Sequence, residues 1–216
     1  MKKPDKSPLF SFSCLLYDFV KITAALPGLI AFRPKWLYES PEARRRIRGG
    51  ALLIGNHSGY LDPVYMQFCV WYRRHRFICA KEFFEGKKAF WFRNFLCIPI
   101  DRDNFSMDSF RTITDHLSRG ELVSMFPEGH VSGGALSSFK SGMVLMAMRS
   151  GRPIVPVYIG SRRNILRRIP MAVGEPVDVK ALCGDRPAYS RIEEVTQLLY
   201  EKEQKLKALC DAFSQR

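Results

Sequence analysis

Residues 51–63, Ala-Leu-Leu-Ile-Gly-Asn-His-Ser-Gly-Tyr-Leu-Asp-Pro, pass from four apolar side chains through a polar loop to an Asp-Pro pair. The apolar run has the length of a buried strand. Asp is a strong helix N-cap and Pro suits the first helical position, so Asp62-Pro63 predicts a helix start, with the helix over 63–72. Strand, loop and capped helix open a β/α unit. His57 and Asp62 stand five apart, which is not the step that stacks side chains on one helix face. They meet only if the turn between strand and helix brings them together. Alone, the stretch reads equally as a cap beside a satisfied histidine and as a base with its orienting carboxylate. A serine-hydrolase elbow does not fit, because His57 holds its central position and Ser58 is displaced by one. Asn56-His57-Ser58 and Asn104-Phe105-Ser106 have the form of glycosylation acceptors, a short pattern that carries little weight here.

Outward from this stretch, strand-like runs occur at 77–80, 96–100, 122–126 and 154–159, with 171–173 as a possible extra. Helical patterns fall at 106–118, ending at Arg119-Gly120, and at 139–149, ending at Gly151. A last helix over 190–213 opens with the capping-box pattern Ser190-x-x-Glu193. Residues 33–50 read as a polar connector. Alternating strands and helices predict an α/β domain with a mixed, mostly parallel sheet flanked by helices, its functional groups on loops leaving the strand ends.

The 216 residues suit one such domain, and 46% apolar residues suffice for a core. Against 21 acidic residues stand 34 Lys and Arg, a net charge of +13, which favours anionic partners such as nucleic acid, phospholipid headgroups or phosphorylated substrates. Six scattered cysteines without a C-x-x-C read as small buried hydrophobes in a reducing compartment. Residues 1–8 are basic and polar, and 9–32 are apolar but interrupted by Asp18, Lys21 and Pro27-Gly28. Neither a spanning helix nor a signal peptide is expected from that pattern. It predicts an interfacial segment of two short helices joined at Pro27-Gly28, flanked by Lys2, Lys3, Lys6, Arg33 and Lys35 for anionic headgroups. The chain then divides into a membrane-associating segment, 1–34, and a domain over 35–216 with its motif core at 51–176.

Three further loops carry chemistry. Ile98-Pro99-Ile100-Asp101-Arg102 ends a strand in an arginine, whose planar fork of donors suits phosphate. Phe126-Pro127-Glu128-Gly129 ends another and is followed by His130 and Gly133-Gly134. Its Glu128 is a candidate to orient a substrate hydroxyl, hold Arg102 or tighten the loop. Pro156, in Val155-Pro156-Val157, removes a ladder donor and predicts a sheet edge or bulge. His75, His116 and His130 stand apart, so no metal site is expected.

Taken together, these stretches resemble the 1-acylglycerol-3-phosphate acyltransferases, the PlsC-like glycerolipid acyltransferase family. The four blocks of that family, N-H-x-x-x-x-D, an apolar run ending in Arg, F-P-E-G and a V-P-V strand, occur in order as 56–62, 97–102, 126–129 and 155–157. Lys140-Ser141-Gly142 and Gly174-Glu175-Pro176 also look like the family. In two places the chain departs from it. Gly59 stands where members often have Ser, and His130-Val131 stand where many have Thr-Arg, so one phosphate contact is missing, with Arg102, Arg162 or Arg163 as possible substitutes. The resemblance implies transfer of a fatty acyl group from an acyl carrier protein or coenzyme A thioester to the hydroxyl of lysophosphatidic acid, with no bound cofactor, at the cytoplasmic face of the cell membrane. His57, titrating near neutral pH, suits the base, and Asp62 its orienter. Arg102, Glu128 and Gly129 would hold the acceptor. Lys81, Asn56 and backbone N–H groups near Gly129 or Val157 would support the oxyanion. Acceptors such as glycerol 3-phosphate, a lysophospholipid or an amino-lipid stay open. A non-catalytic nucleic-acid binder using the basic runs at 44–48, 73–76 and 162–168 lacks any recognition signature and leaves His57, Asp62 and Glu128 without a role. No nucleic acid is therefore expected.

Overall fold

A computed structural model describes residues 11–102, 104–132, 136–161 and 167–215. Lys2, Lys3, Lys6, Gly133-Gly134, Arg162 and Arg163 lie outside the described residues. The run 51–54 forms the second strand, and its sequence explains its place. All five residues of β2 (Ala51–Gly55) are buried, as a strand flanked on both sides and covered on both faces must be. It lies between β5 (Leu122–Met125) and β6 (Ile154–Ile159), parallel to both. Beyond β5 come β3 (His75–Ala80) and the edge strand β4 (Ile98–Ile100), again parallel. On the other side, β7 (Ile169–Val173) runs antiparallel to β6 and pairs in parallel with β1 (Pro34–Tyr38). The order is β1-β7-β6-β2-β5-β3-β4, a mixed, mostly parallel sheet.

Alternation along the strands sends side chains to two layers. Leu52, Ile54 and Val123 face a core with Ile113 and Leu117 of α4 (Met107–Ser118), Met143, Val144 and Ala147 of α5 (Gly142–Ser150), and Leu199 of the last helix (Tyr189–Gln215). Ala51, Leu53, Val155 and Val157 face the opposite layer, with Met66, Phe68 and Cys69 of α2 (Asp62–Cys69). Truncating one such fully buried leucine to alanine typically costs about 2–5 kcal/mol. A short helix, Val179–Cys183, precedes the last one.

Four expectations change. Residues 34–38 are a strand, not part of a connector: Pro34 opens an edge strand, where its missing N–H is tolerated, and the partner is β7, far along the chain. The N-terminal segment is one helix, α1 (Phe12–Phe32), running through Pro27. Pro27 lies on its exposed side, and Gly28 is a point of close approach rather than a break, since a Cβ there would come within 2.7 Å of the Phe68 ring. Pro156 is not at an edge. It sits in the interior strand β6 at the point where pairing with β7 ends: its carbonyl accepts from Gly174 N at 2.9 Å, and only the return bond is missing. The last helix starts at Tyr189, one residue before the expected cap, so Ser190 lies inside its first turn.

By length and composition α1 is sufficient to cross a bilayer. The charges that interrupt it face the domain: Arg74 donates to both oxygens of Asp18, at 3.0 and 2.6 Å, and Tyr17 is buried next to Cys14 and Leu96. The opposite face carries Phe12, Leu15, Phe19, Ile22, Leu26 and Ile30, each more than half exposed and spaced three or four residues apart. That apolar stripe spans the length of the helix.

Candidate active site

Strands β2, β3, β4, β5 and β6 are parallel, so the loops of the first three motifs leave the same edge of the sheet, while the fourth motif, 155–157, lies within β6. Asn56, directly after β2, is buried and ties two strand ends together. Its Oδ1 accepts from Ile159 N at 2.8 Å, and its Nδ2 donates to the Ile159 carbonyl and to Ser58 Oγ, both at 3.0 Å. Its role is support. Its burial also excludes Asn56 as a glycosylation acceptor.

The chain then turns into α2, and the turn converges on one atom. Asp62 Oδ2 lies 3.0 Å from His57 Nδ1 and accepts from Ser58 N at 2.5 Å and Gly59 N at 2.7 Å. Leu61, not Asp62, is the N-cap: Asp62 is the first helical residue, and its carboxylate caps no helix N–H but turns back to the loop as the partner of His57. The carboxylate is 5% exposed and accepts three hydrogen bonds, which satisfies a buried charge. A carboxylate accepts, so His57 Nδ1 carries the proton and Nε2 keeps its lone pair for chemistry. The imidazole stacks on Phe126, centroids 4.2 Å apart. Gly59 has open space around the position of a Cβ, so a serine there has room and its absence leaves the turn intact.

Glu128 has a different position from the one expected. It is 2% exposed, accepts from His57 N through Oε1 and from Ser137 N through Oε2, both at 3.0 Å, and is not among the residues lining the adjacent cavity. Of the three roles open to it, tightening the loop is the one its contacts serve. Ser132 completes the hold: its N and Oγ both donate to the His57 carbonyl, at 2.8 and 3.1 Å. His57 is thus gripped by its main chain on both sides as well as by its ring. Ser132 and Ser137 were not legible in the sequence, because two serines in a polar loop carry no periodicity or motif. His130 braces the same loop, Nδ1 to the Glu128 carbonyl at 3.0 Å and Nε2 to Ser137 Oγ at 3.3 Å.

A cavity of about 1470 Å³ is lined by His57. Its walls are largely apolar, from Ile78, Phe83, Phe92, Met125, Phe139 and Met146, and Arg102 and Gly129 line it together with His57. Arg102 and His57 thus line the same cavity. Lys81, just past β3, is ion-paired with Asp101 and is not among the lining residues. Val157 is buried in the sheet, in register with Gly55 on one side and Val173 on the other, so its backbone faces neighbouring strands rather than the cavity. The Gly129 N–H closes a turn onto the Phe126 carbonyl at 3.1 Å. No cluster of metal-ligating side chains occurs among the described residues. His75 is fully buried between Ser124 Oγ and the Val70 carbonyl, and burial holds its pKa down at about 3, so it is a neutral structural group.

His57, its ring tied to Asp62, thus shares one largely apolar cavity with Arg102, the arrangement of a candidate active site. The chain belongs to the Acyltransferase family, whose sequence pattern matches residues 37–160. It is similar to the 1-acyl-sn-glycerol-3-phosphate acyltransferase of Bacillus subtilis, 26% identical over 171 residues, covering 75% of this chain and 83% of that one. A second relative, of the same description, comes from Streptococcus pneumoniae, at 29% identity over 135 residues, 59% of this chain and 50% of that one. The fold resembles the crystal structure of the LPA acyltransferase PlsC from Thermotoga maritima, with a TM-score of 0.66 and 20% identity, over 97% of this chain and 83% of the other.

Proposed function

We propose that this enzyme moves a fatty acyl group from an acyl carrier protein or coenzyme A thioester to the free hydroxyl of lysophosphatidic acid, giving phosphatidic acid for phospholipid synthesis. The observation that carries this reading is the convergence on Asp62 Oδ2, which leaves His57 Nε2 as the only ring nitrogen for the cavity. An alcohol must lose its proton as it attacks the thioester carbonyl, and His57 receives that proton. Such assistance is typically worth about 10²–10⁴ in rate. The imidazolium that forms is met by the Asp62 charge. The C–S bond then breaks and the thiolate leaves. Glu128, with Ser132, positions the base, and Arg102 clamps the acceptor phosphate bidentately. The apolar cavity takes the acyl chain. The exposed stripe of α1 lies in the interface at the cytoplasmic face of the cell membrane, where the net charge of +13 favours anionic lipid.

The reading is tested with purified protein, acyl-coenzyme A and lysophosphatidic acid, following thiol release. His57→Ala, folded normally, is expected to abolish turnover, and wild-type turnover in it removes the base assignment. Arg102→Ala is expected to raise the acceptor KM. An acceptor panel with glycerol 3-phosphate and lysophosphatidylcholine gives the second check, since a preference for either displaces lysophosphatidic acid as substrate.

A further inference from the structure

Three cationic side chains among the described residues line the cavity: Lys88, Arg102 and Lys140. Lys140 packs against the loop that grips His57. Gly129 takes a positive φ of +75°, and a Cβ built there would lie 3.1 Å from both Cε and Nζ of Lys140. The ammonium therefore lies over the bare Cα of Gly129, one residue from the carboxylate that holds the His57 N–H. It is not the counterion of that carboxylate, whose two oxygens accept from His57 N and Ser137 N and which forms no ion pair with Lys140. Among the described residues the Lys140 ammonium has no hydrogen bond or ion pair. The Lys140 backbone, by contrast, is fixed, its N–H donating to the Pro127 carbonyl at 3.1 Å. An anchored main chain, a glycine that clears the space and an ammonium with no anionic partner among the described residues, all at the cavity that His57 lines, together lack only an anion.

We propose that Lys140 is a phosphate ligand of the acceptor, acting with Arg102 as a two-cation clamp that holds the phosphate while His57 takes the proton from the neighbouring hydroxyl. This rests on the acceptor assignment above. Arg102 offers a planar fork and Lys140 a point charge on a flexible stem, so the pair accommodates a phosphate that shifts as the hydroxyl closes on the thioester.

The test is steady-state kinetics of Lys140→Met and Lys140→Arg, with detergent-dispersed lysophosphatidic acid and, in parallel, 1-acylglycerol, which lacks the phosphate. Lys140→Met is expected to raise the KM for lysophosphatidic acid about ten- to hundredfold, the range for a lost charge-assisted hydrogen bond. The donor KM and the 1-acylglycerol KM should stay unchanged, and Lys140→Arg should recover most of the effect. An unchanged lysophosphatidic acid KM, an equal rise for 1-acylglycerol, or a rise confined to the donor each overturns the proposal. Equilibrium binding of lysophosphatidic acid to His57→Ala, with and without Lys140→Met, separates the two levels. Equal binding by both overturns the role of Lys140 alone, whereas no binding by His57→Ala overturns the acceptor assignment and this proposal with it.

Discussion

Replacing Asp62 by Asn tests the mechanism at its most constrained atom. In a catalytic triad, an Asp-to-Asn change costs about 10⁴ in turnover because the amide turns its N–H toward the imidazole and imposes the wrong tautomer. Here Oδ2 accepts from Ser58 N at 2.5 Å and Gly59 N at 2.7 Å as well as from His57 Nδ1 at 3.0 Å. An amide nitrogen at that point would face three donors, and each backbone N–H left unsatisfied costs about 1–3 kcal/mol. The amide oxygen therefore occupies the Oδ2 position, and His57 keeps its proton on Nδ1. What is lost is the charge opposite the imidazolium. A hydrogen bond to a charged group is worth about 1.5–3 kcal/mol and a neutral one about 0.5–1.5, a difference of roughly 1–1.5 kcal/mol, or about tenfold in kcat at 1.36 kcal/mol per decade. Asp62→Ala removes the acceptor altogether, and its expected loss is the whole general-base contribution of about 10²–10⁴. Thiol release at saturating donor and acceptor measures both. A loss of 10³ or more in Asp62→Asn would refute the argument from the two backbone donors, and wild-type kcat in that variant would refute the role of the charge.

Other outcomes follow from the same coordinates. Glu203 is fully buried on the last helix with neither carboxyl oxygen hydrogen-bonded among the described residues, and burial, aided by the charge of Glu128, raises its pKa well above the carboxylate range. The folded state thus keeps a proton that the unfolded state releases above about pH 4.3, so stability falls as pH rises past that point. Glu203→Gln should melt higher than wild type at pH 8 and lose that advantage near pH 4, and thermal melts at equal Tm across that range would show the reasoning to be wrong. Ile22→Asp, on the exposed stripe of α1, should weaken binding to anionic vesicles about tenfold or more, given roughly 1.5–3 kcal/mol for burying one such side chain. Co-sedimentation measures this, and unchanged binding removes the stripe from the interface. Gly129→Ala forces a Cβ into a positive-φ position beside Lys140 and should lower stability by about 1–2 kcal/mol, read by urea denaturation, where an unshifted midpoint would contradict it.

Residues 51–63 carried much of the site in local signals. Four apolar residues, a polar turn and an Asp-Pro start specify strand, loop and helix by spacing alone, and the turn they define brings Asp62 to His57. The parallel strands that gather Arg102 and the 126–129 loop beside them follow from the same alternation of strand and helix. Other features depend on partners far apart in the chain, which no local period encodes. Residues 34–38 are a strand only because β7 offers them an edge, and Pro156 is tolerated inside the sheet only because β7 stops pairing at Gly174. Glu128 had three possible roles in the sequence. Its burial against His57 N and Ser137 N selects one, and the identity of those donors depends on how a loop closes over a strand end. Lys140 likewise lies eleven residues from Gly129 in sequence and meets it only through the fold. The sequence by itself determined which polar groups stand at the strand ends and in what order. The tertiary structure decided which of them line the cavity and which hold the loop, because burial and hydrogen-bond partners are properties of packed neighbours rather than of residue spacing.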